Sequence, residues 1–275
     1  MSIKREASGR RSIQVDIEVP GTPEEVWEAI ATGPGISAWF VPAQFEEEGG
    51  KPVAVTLDFG PAMDSRSVVT AWNPPRLFAR EGAGWAPGSP PIATEFSVEA
   101  RAGGICVVRV VQSLFSSTDD WDAQLTGAEE GWPGIARVLR LYLTHFRGQR
   151  SAIMQIMSPV PGTAAEAWET LTAALGLHGA RVGDRCAAQA GVPALGGVVE
   201  YISDSPYGAL MRLDTPGPGT AAFGTIKFGS MVMATLTFYM YGEQAAENVT
   251  RYTPLWQAWM QERFPMPAVM DDATP

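Results

Sequence analysis

The chain of 275 residues carries a formal net charge of −10, with 45% hydrophobic and 18% charged residues, which suits one large domain or two of about 130–140 residues. Its acidity is even, 14 basic against 19 acidic residues up to Arg150 and 6 against 11 beyond it, so nucleic acid, which demands a basic footprint, is not an expected partner. No run of about 18 apolar residues offers a membrane span, and none follows the opening MSIKREASGRR, so no signal peptide is expected and the location is read as cytoplasmic with reduced thiols.

Lys4, Arg5, Arg10 and Arg11 cluster on an N-terminus expected to fray. From Ile13 to Val19 every odd position is apolar and every even one polar, the period of a half-buried strand. GTPEEVWEAI follows at residues 21–30. Thr22 is a natural N-cap, Pro23 suits the first helical position, and Glu25 can reach back to the cap, so a helix opens here carrying Trp27 and Ile30. A short second helix is read in GPGISAWF, ending at Trp39 and Phe40. Strands are expected over 53–59, 67–72, 77–80, 94–100 and 105–115, separated by Gly and Pro turns. Trp132, Ile135, Leu139, Tyr142, Leu143 and Phe146 then fall on one face of a closing helix.

A polar link over 147–152 leads to a second pass. After a weaker strand at Met154 and Ile156 comes GTAAEAWETL at 162–171, with Thr163, Glu166, Trp168 and Leu171 in the places of Thr22, Glu25, Trp27 and Ile30. Strands are expected near 198–202, 209–213, 222–228 and 232–241, before a final helix with Leu255, Trp256, Trp259, Met260 and Phe264. Each half therefore reads strand, helix, short helix, antiparallel strands, long helix.

The run Val-Pro-Gly-Thr-Pro-Glu-Glu-Val-Trp-Glu-Ala-Ile, then Ala38-Trp39-Phe40-Val41-Pro42, Asn73-Pro74-Pro75-Arg76-Leu77 and Gly131-Trp132 resembles the SRPBCC superfamily, the START-like, birch-pollen-allergen-like helix-grip fold. Within it the first half is most similar to the subfamily named for the activator of the ninety-kilodalton heat-shock ATPase. The resemblance covers residues 11–148 well and 152–265 as a degenerate copy, leaving tails at 1–10 and 266–275. It implies an α+β protein of two tandem helix-grip domains, each a curved antiparallel sheet wrapped around a long C-terminal helix, with a cavity between them. In relatives that cavity binds lipids, sterols, polyketides or hormones, or serves as an active site, and some relatives of the subfamily act as co-chaperones. The second copy is about 25 residues shorter and is expected to have lost its pocket.

Candidate ligand-binding residues are Trp39, Phe40, Trp85, Phe96, Arg109, Trp132, Ile135 and Leu139. Trp39 and Phe40 would lie near the cavity mouth, either as a ligand gate or as core closure. Trp132, Ile135 and Leu139 face the sheet, Trp132 being the best placed for a pocket. Trp85, in the loop GAGWAPGSPP, could be a lid. Phe96 faces the opposite way from Glu95, which should meet solvent. Arg109 shares a strand face with Ile105, Val107 and Val111, so it either reaches a ligand oxygen in the cavity, faces outward, or pairs with a nearby acid.

No cofactor, metal or catalytic set is expected. Cys106 and Cys186 are isolated from each other and from His145 and His178, so no zinc ligand set is present. Asp119, Asp120 and Asp122 more plausibly favour the start of the closing helix than hold a cation, and Glu46, Glu47 and Glu48 read as a solvated loop. The leading reading is non-catalytic binding of a hydrophobic small molecule in the first domain. The alternatives are a cyclase, dehydratase or hydrolase acting on an aromatic or polyketide-like substrate, and a co-chaperone or interaction module with a protein partner.

Overall fold

Alternation along the strands builds the first sheet. β2 (Arg10–Pro20) buries Ile13, Ile17 and Val19 and leaves Gln14, Asp16 and Glu18 in solvent. The computed structural model describes residues 3–60, 64–84, 88–116, 118–204, 207–228 and 231–265, and the chain divides into two units, Met1–Gln149 and Arg150–Pro275.

In the first unit, β1 (Lys4–Arg5) and β2 precede the helices α1 (Pro23–Ala31) and α2 (Gly33–Ser37). Six strands follow: β3 (Ala43–Glu48), β4 (Lys51–Asp58), β5 (Asp64–Asn73), β6 (Leu77–Gly82), β7 (Ile92–Arg101) and β8 (Ile105–Phe115). They form one antiparallel sheet in the order β1-β2-β8-β7-β6-β5-β4-β3. The closing helix α3 (Asp122–Leu141) ends in a π-helical turn at Tyr142–Phe146. It buries Trp132, Val138 and Leu139, with Tyr142, Leu143 and Phe146 beyond them, as the periodicity predicts.

The second unit repeats the plan with β9 (Ser151–Val160), α4 (Ala164–Ala174), β10 (Arg185–Ala187), β11 (Gly196–Asp204), β12 (Tyr207–Thr215), β13 (Gly219–Phe228), β14 (Met231–Tyr241) and α5 (Ala245–Arg263). Its sheet runs β10-β11-β12-β13-β14-β9. The architecture is thus α+β with two helix-grip units. Among the described residues no helix is long and apolar enough to cross a membrane.

Both capping boxes form. Thr22 Oγ1 accepts from the Glu25 N–H at 3.3 Å while Glu25 Oε2 accepts from the Thr22 N–H at 2.8 Å. Thr163 and Glu166 repeat the pair at 3.2 and 2.8 Å. The repeated phrase is a repeated helix start.

Three expectations are corrected. The N-terminus does not fray along its whole length: Lys4 and Arg5 pair with Ser12 and Arg11, and Arg11, only 8% exposed, reaches Asp122 and Asp119 at 2.6 Å each. Arg5 meets the second Asp122 oxygen at 2.6 Å. These acids therefore answer the basic cluster as well as the helix start. Glu46, Glu47 and Glu48 belong to the edge strand β3, where Arg66 holds Glu46 bidentately at 2.7 Å. Finally, the second unit has no counterpart of α2; its chain turns through Gly176, Gly179 and Gly183, all at positive φ.

Each cap contributes about 1 kcal/mol, so Thr22→Ala and Thr163→Ala should each lower the unfolding free energy of their own unit by that amount, read from denaturant titration. Burial raises the Asp122 carboxyl, but the hydrogen bonds from Arg5 and Arg11 outweigh it and hold the group below its ordinary range. A depressed carboxylate stabilises the fold above its unfolded pKa of about 3.9 and loses that contribution as pH falls through the lower folded value. Melting temperatures measured between pH 7 and 2 should fall less steeply in the acid range for Asp122→Asn than for the wild type.

Candidate functional site

Register across β6, β7 and β8 sets two rows of side chains on the face covered by α3. Phe78 pairs with Phe96, and Phe96 with Val110. Two residues further on, Arg80 pairs with Thr94 and Thr94 with Gln112. The first row is apolar and buried. The second is polar, and its Thr94 and Gln112 are also buried. Gln112 Nε2 lies 3.4 Å from Thr94 Oγ1, and the Trp132 indole N–H donates to Gln112 Oε1 at 2.9 Å, tying α3 to this row.

Arg80 is the distinctive member. Its Nη1 donates to Ser67 Oγ at 2.9 Å, on the neighbouring strand β5. No carboxylate among the described residues pairs with it. A small part of the side chain still meets solvent, but the surrounding protein strips its hydration and pushes the guanidinium pKa down to about 10. It stays protonated at neutral pH, a charge inside the grip with most of its five N–H donors uncommitted.

Aromatic rings border the rows. Phe96 meets Trp132 edge-on at 5.9 Å and stacks on Phe78 at 6.0 Å between centroids. Phe40 stacks on Trp132 at 6.1 Å and on Trp39 at 5.7 Å, and meets Phe59 edge-on at 5.7 Å. The structure therefore brings Trp39, Phe40, Phe96 and Trp132 into one cluster. Trp39 is 1% exposed, and its N–H donates to the Ala29 carbonyl at 2.9 Å, so it backs Phe40 from the core. Leu139 is buried deep under α3 and Ile135 is half-buried on the same helix. Trp85 lies outside the described residues.

Arg109 does not reach the interior. Even positions of β8 (Cys106, Val108, Val110, Gln112, Leu114) point inward, and Arg109 is out of phase with them. It sits half-exposed on the outer face with both Asp16 oxygens at 2.9 and 3.0 Å. Its guanidinium hydrogen bonds hold the Asp16 carboxyl below its usual range. On β6 the arginine that faces inward is Arg80. A signal for it exists in the sequence: in Leu77-Phe78-Ala79-Arg80 it has the parity of Phe78, and Gln112 has that of Val108 and Val110.

Among the described residues the second unit shows no such polar row on the face covered by α5. Val199, Met211, Ala221, Phe238 and Met154 pair in succession across its sheet, all apolar and buried in one core with Trp256. A cleft of about 490 Å³ on this unit lies among Trp168, Thr172, Leu177, His178, Arg181 and Asp204, none of them on α5. A cleft of about 360 Å³ on the first unit touches Lys4, Gln14, Glu95 and Glu129. No three His, Cys, Asp or Glu side chains among the described residues gather as a metal site.

Residues 10–141 match the family model described as polyketide cyclase/dehydrase and lipid transport. That match lies within the first unit and takes in its sheet from β2 to β8 together with α3. Among solved structures it is similar to the di-domain ARO/CYC BexL from the BE-7585A biosynthetic pathway, at 12% identity over 94% of this chain and 99% of that one, with a TM-score of 0.45. DynU16, from the dynemicin biosynthetic locus, matches at 17% identity over 90% of this chain and 94% of its own, TM-score 0.40. The Aha1 dimer from Colwellia psychrerythraea matches at 20% identity over 48% of this chain and 95% of that one, TM-score 0.37. Among curated proteins none matches the sequence.

An unpaired charge held in the ligand-free protein should be a stability deficit. Arg80→Met, similar in length and uncharged, should raise the unfolding free energy of the first unit by about 1–3 kcal/mol, read from denaturant titration; a loss of stability would show that Arg80 is a structural group.

Proposed function

We propose that the first unit binds a hydrophobic small molecule whose anionic or strongly electron-rich oxygen meets Arg80, without catalysing a reaction on it. The observation that carries this reading is a protonated guanidinium facing the interior with a neutral hydroxyl as its partner, beside a wall of Phe78, Phe96, Phe40 and Trp132. Apolar lining with a few placed polar groups is the usual composition of a ligand site. The family description, which joins polyketide cyclisation or dehydration with lipid transport, is compatible with a hydrophobic guest.

A cyclase or dehydratase acting on a polyketide-like substrate is the second reading, and the same residues favour it. Arg80, Thr94 and Gln112 could stabilise an enolate oxygen electrostatically. Neither of the two interior rows contains His, Asp or Glu, so the groups that most often move protons are missing from them. This tips the balance to binding.

Two fluorescent probes of similar size separate the contributions. Anilinonaphthalene sulfonate, an anion, should bind the wild type and lose about tenfold in affinity in Arg80→Met, the worth of one charged hydrogen bond. Neutral N-phenyl-1-naphthylamine should bind both proteins alike. Mass spectrometry of gently purified protein, native against denatured, should reveal a co-purifying acidic apolar molecule. Equal loss of both probes would remove Arg80 from the site, and turnover of a model poly-β-ketone abolished by Arg80→Met would replace binding with catalysis.

A further inference from the structure

We infer that the first two to three turns of α3 form a lid over the Arg80 row, hinged at Gly131–Gly134 and latched by Arg5 and Arg11; the lid's role in gating rests on the reading of that row as a ligand site.

The hinge is written into the helix. Pro133 lies inside α3 and has no N–H to give to the Glu129 carbonyl one turn back. Gly131 and Gly134 flank it, and Gly127 lies one turn earlier. Glycine and proline are the two poorest helix formers. Packing does not demand these glycines: a Cβ added at Gly127, Gly131 or Gly134 meets nothing within 4 Å. The closing helix of the second unit also has a proline, Pro254, but no glycine. The weakness is specific to the unit that carries the polar row.

The segment before the hinge is lightly held. Leu125 is its one fully buried apolar side chain, whereas beyond the hinge Val138, Leu139, Leu141, Tyr142, Leu143 and Phe146 are all buried. Trp121 provides no side-chain cap, and Gln124 Oε1 is buried without a hydrogen-bond partner, which favours opening to water. What holds the segment down is the ion-pair cluster at its start, Arg11 with Asp119 and Asp122 and Arg5 with Asp122.

Position makes the segment a lid. Asp122 accepts from Arg11, which pairs with Leu114 two residues beyond Gln112 on β8, and Trp132 bonds Gln112 itself, so the turns between Asp122 and Trp132 stand at the sheet end next to the Arg80, Thr94 and Gln112 row. Trp132, at the hinge, is anchored on Gln112. Opening about that point frees the end of the row while the apolar half of α3 remains seated.

Hydrogen–deuterium exchange on the full chain without ligand tests the hinge and latch directly. Amides 124–130 should exchange at least tenfold faster than amides 138–143. In Arg11→Gln they should exchange tenfold faster again, with 138–143 unchanged, and in Gly131→Ala/Gly134→Ala tenfold slower, including at 124–127, upstream of the substitutions. Amides 124–130 as protected as 138–143 and unmoved by the glycine replacements would overturn the lid. The association rate of anilinonaphthalene sulfonate should rise in Arg11→Gln and fall in the double alanine variant. A rate unchanged in both would overturn gating. Failure of the probe to bind the wild type at all would count against the ligand site, with exchange still deciding the hinge.

Discussion

Antiparallel register across β6, β7 and β8 is the constraint on which the first unit depends. Once Phe78 stands opposite Phe96 and Phe96 opposite Val110, Arg80, Thr94 and Gln112 must form the next inward row. A slip of one residue would send Arg80 outward and Ala79 or Glu81 inward. Hydrophobic burial of Phe78, Phe96, Val108 and Val110 thus holds a charge in a place it would not choose for itself. The apolar row sets the geometry, and the polar row gives the interior its chemistry.

The two units show how the same plan diverges when that row changes. In the second unit, the paired positions Val199, Met211, Ala221 and Phe238 are apolar, and Phe238 packs on Trp256 at 5.0 Å between centroids. Its sheet and long helix keep the same plan, while this inward row is apolar throughout. The helix start, here Thr163 with Glu166, forms in both units although their inward rows differ, so the shared phrase does not depend on the polar row.

Local signals were readable from the sequence because they are local. Thr22 and Glu25 lie three residues apart on one chain, and a capping box needs nothing else. The alternation from Ile13 to Val19 likewise reports one strand's faces without reference to its neighbours. Arg109 and Arg80 show where this stops. Both sit on strands whose existence was plain, but which face was inward depended on partners elsewhere in the chain, and for Arg109 the run Val107–Val111 is apolar on both faces. The fate of Glu46 was hidden for the same reason: it needed Arg66, twenty residues on, to become an edge-strand ion pair. Arg11 needed Asp119 and Asp122, more than one hundred residues away. Trp39 and Phe40 are adjacent in the chain, yet only their surroundings separate the buried support from the ring that meets Trp132.

The pairing of the N-terminal strand with the start of α3 has a consequence for processing of the chain. Lys4 to Arg11 is a stretch that a trypsin-like protease favours chemically, since four of its residues are basic. Its removal would do more than shorten an edge. Asp119 and Asp122 would face each other with no counter-cation, converting the attraction that seats the helix into repulsion, so a cut in a small strand would be felt as a change in the shape of a helix a hundred residues downstream.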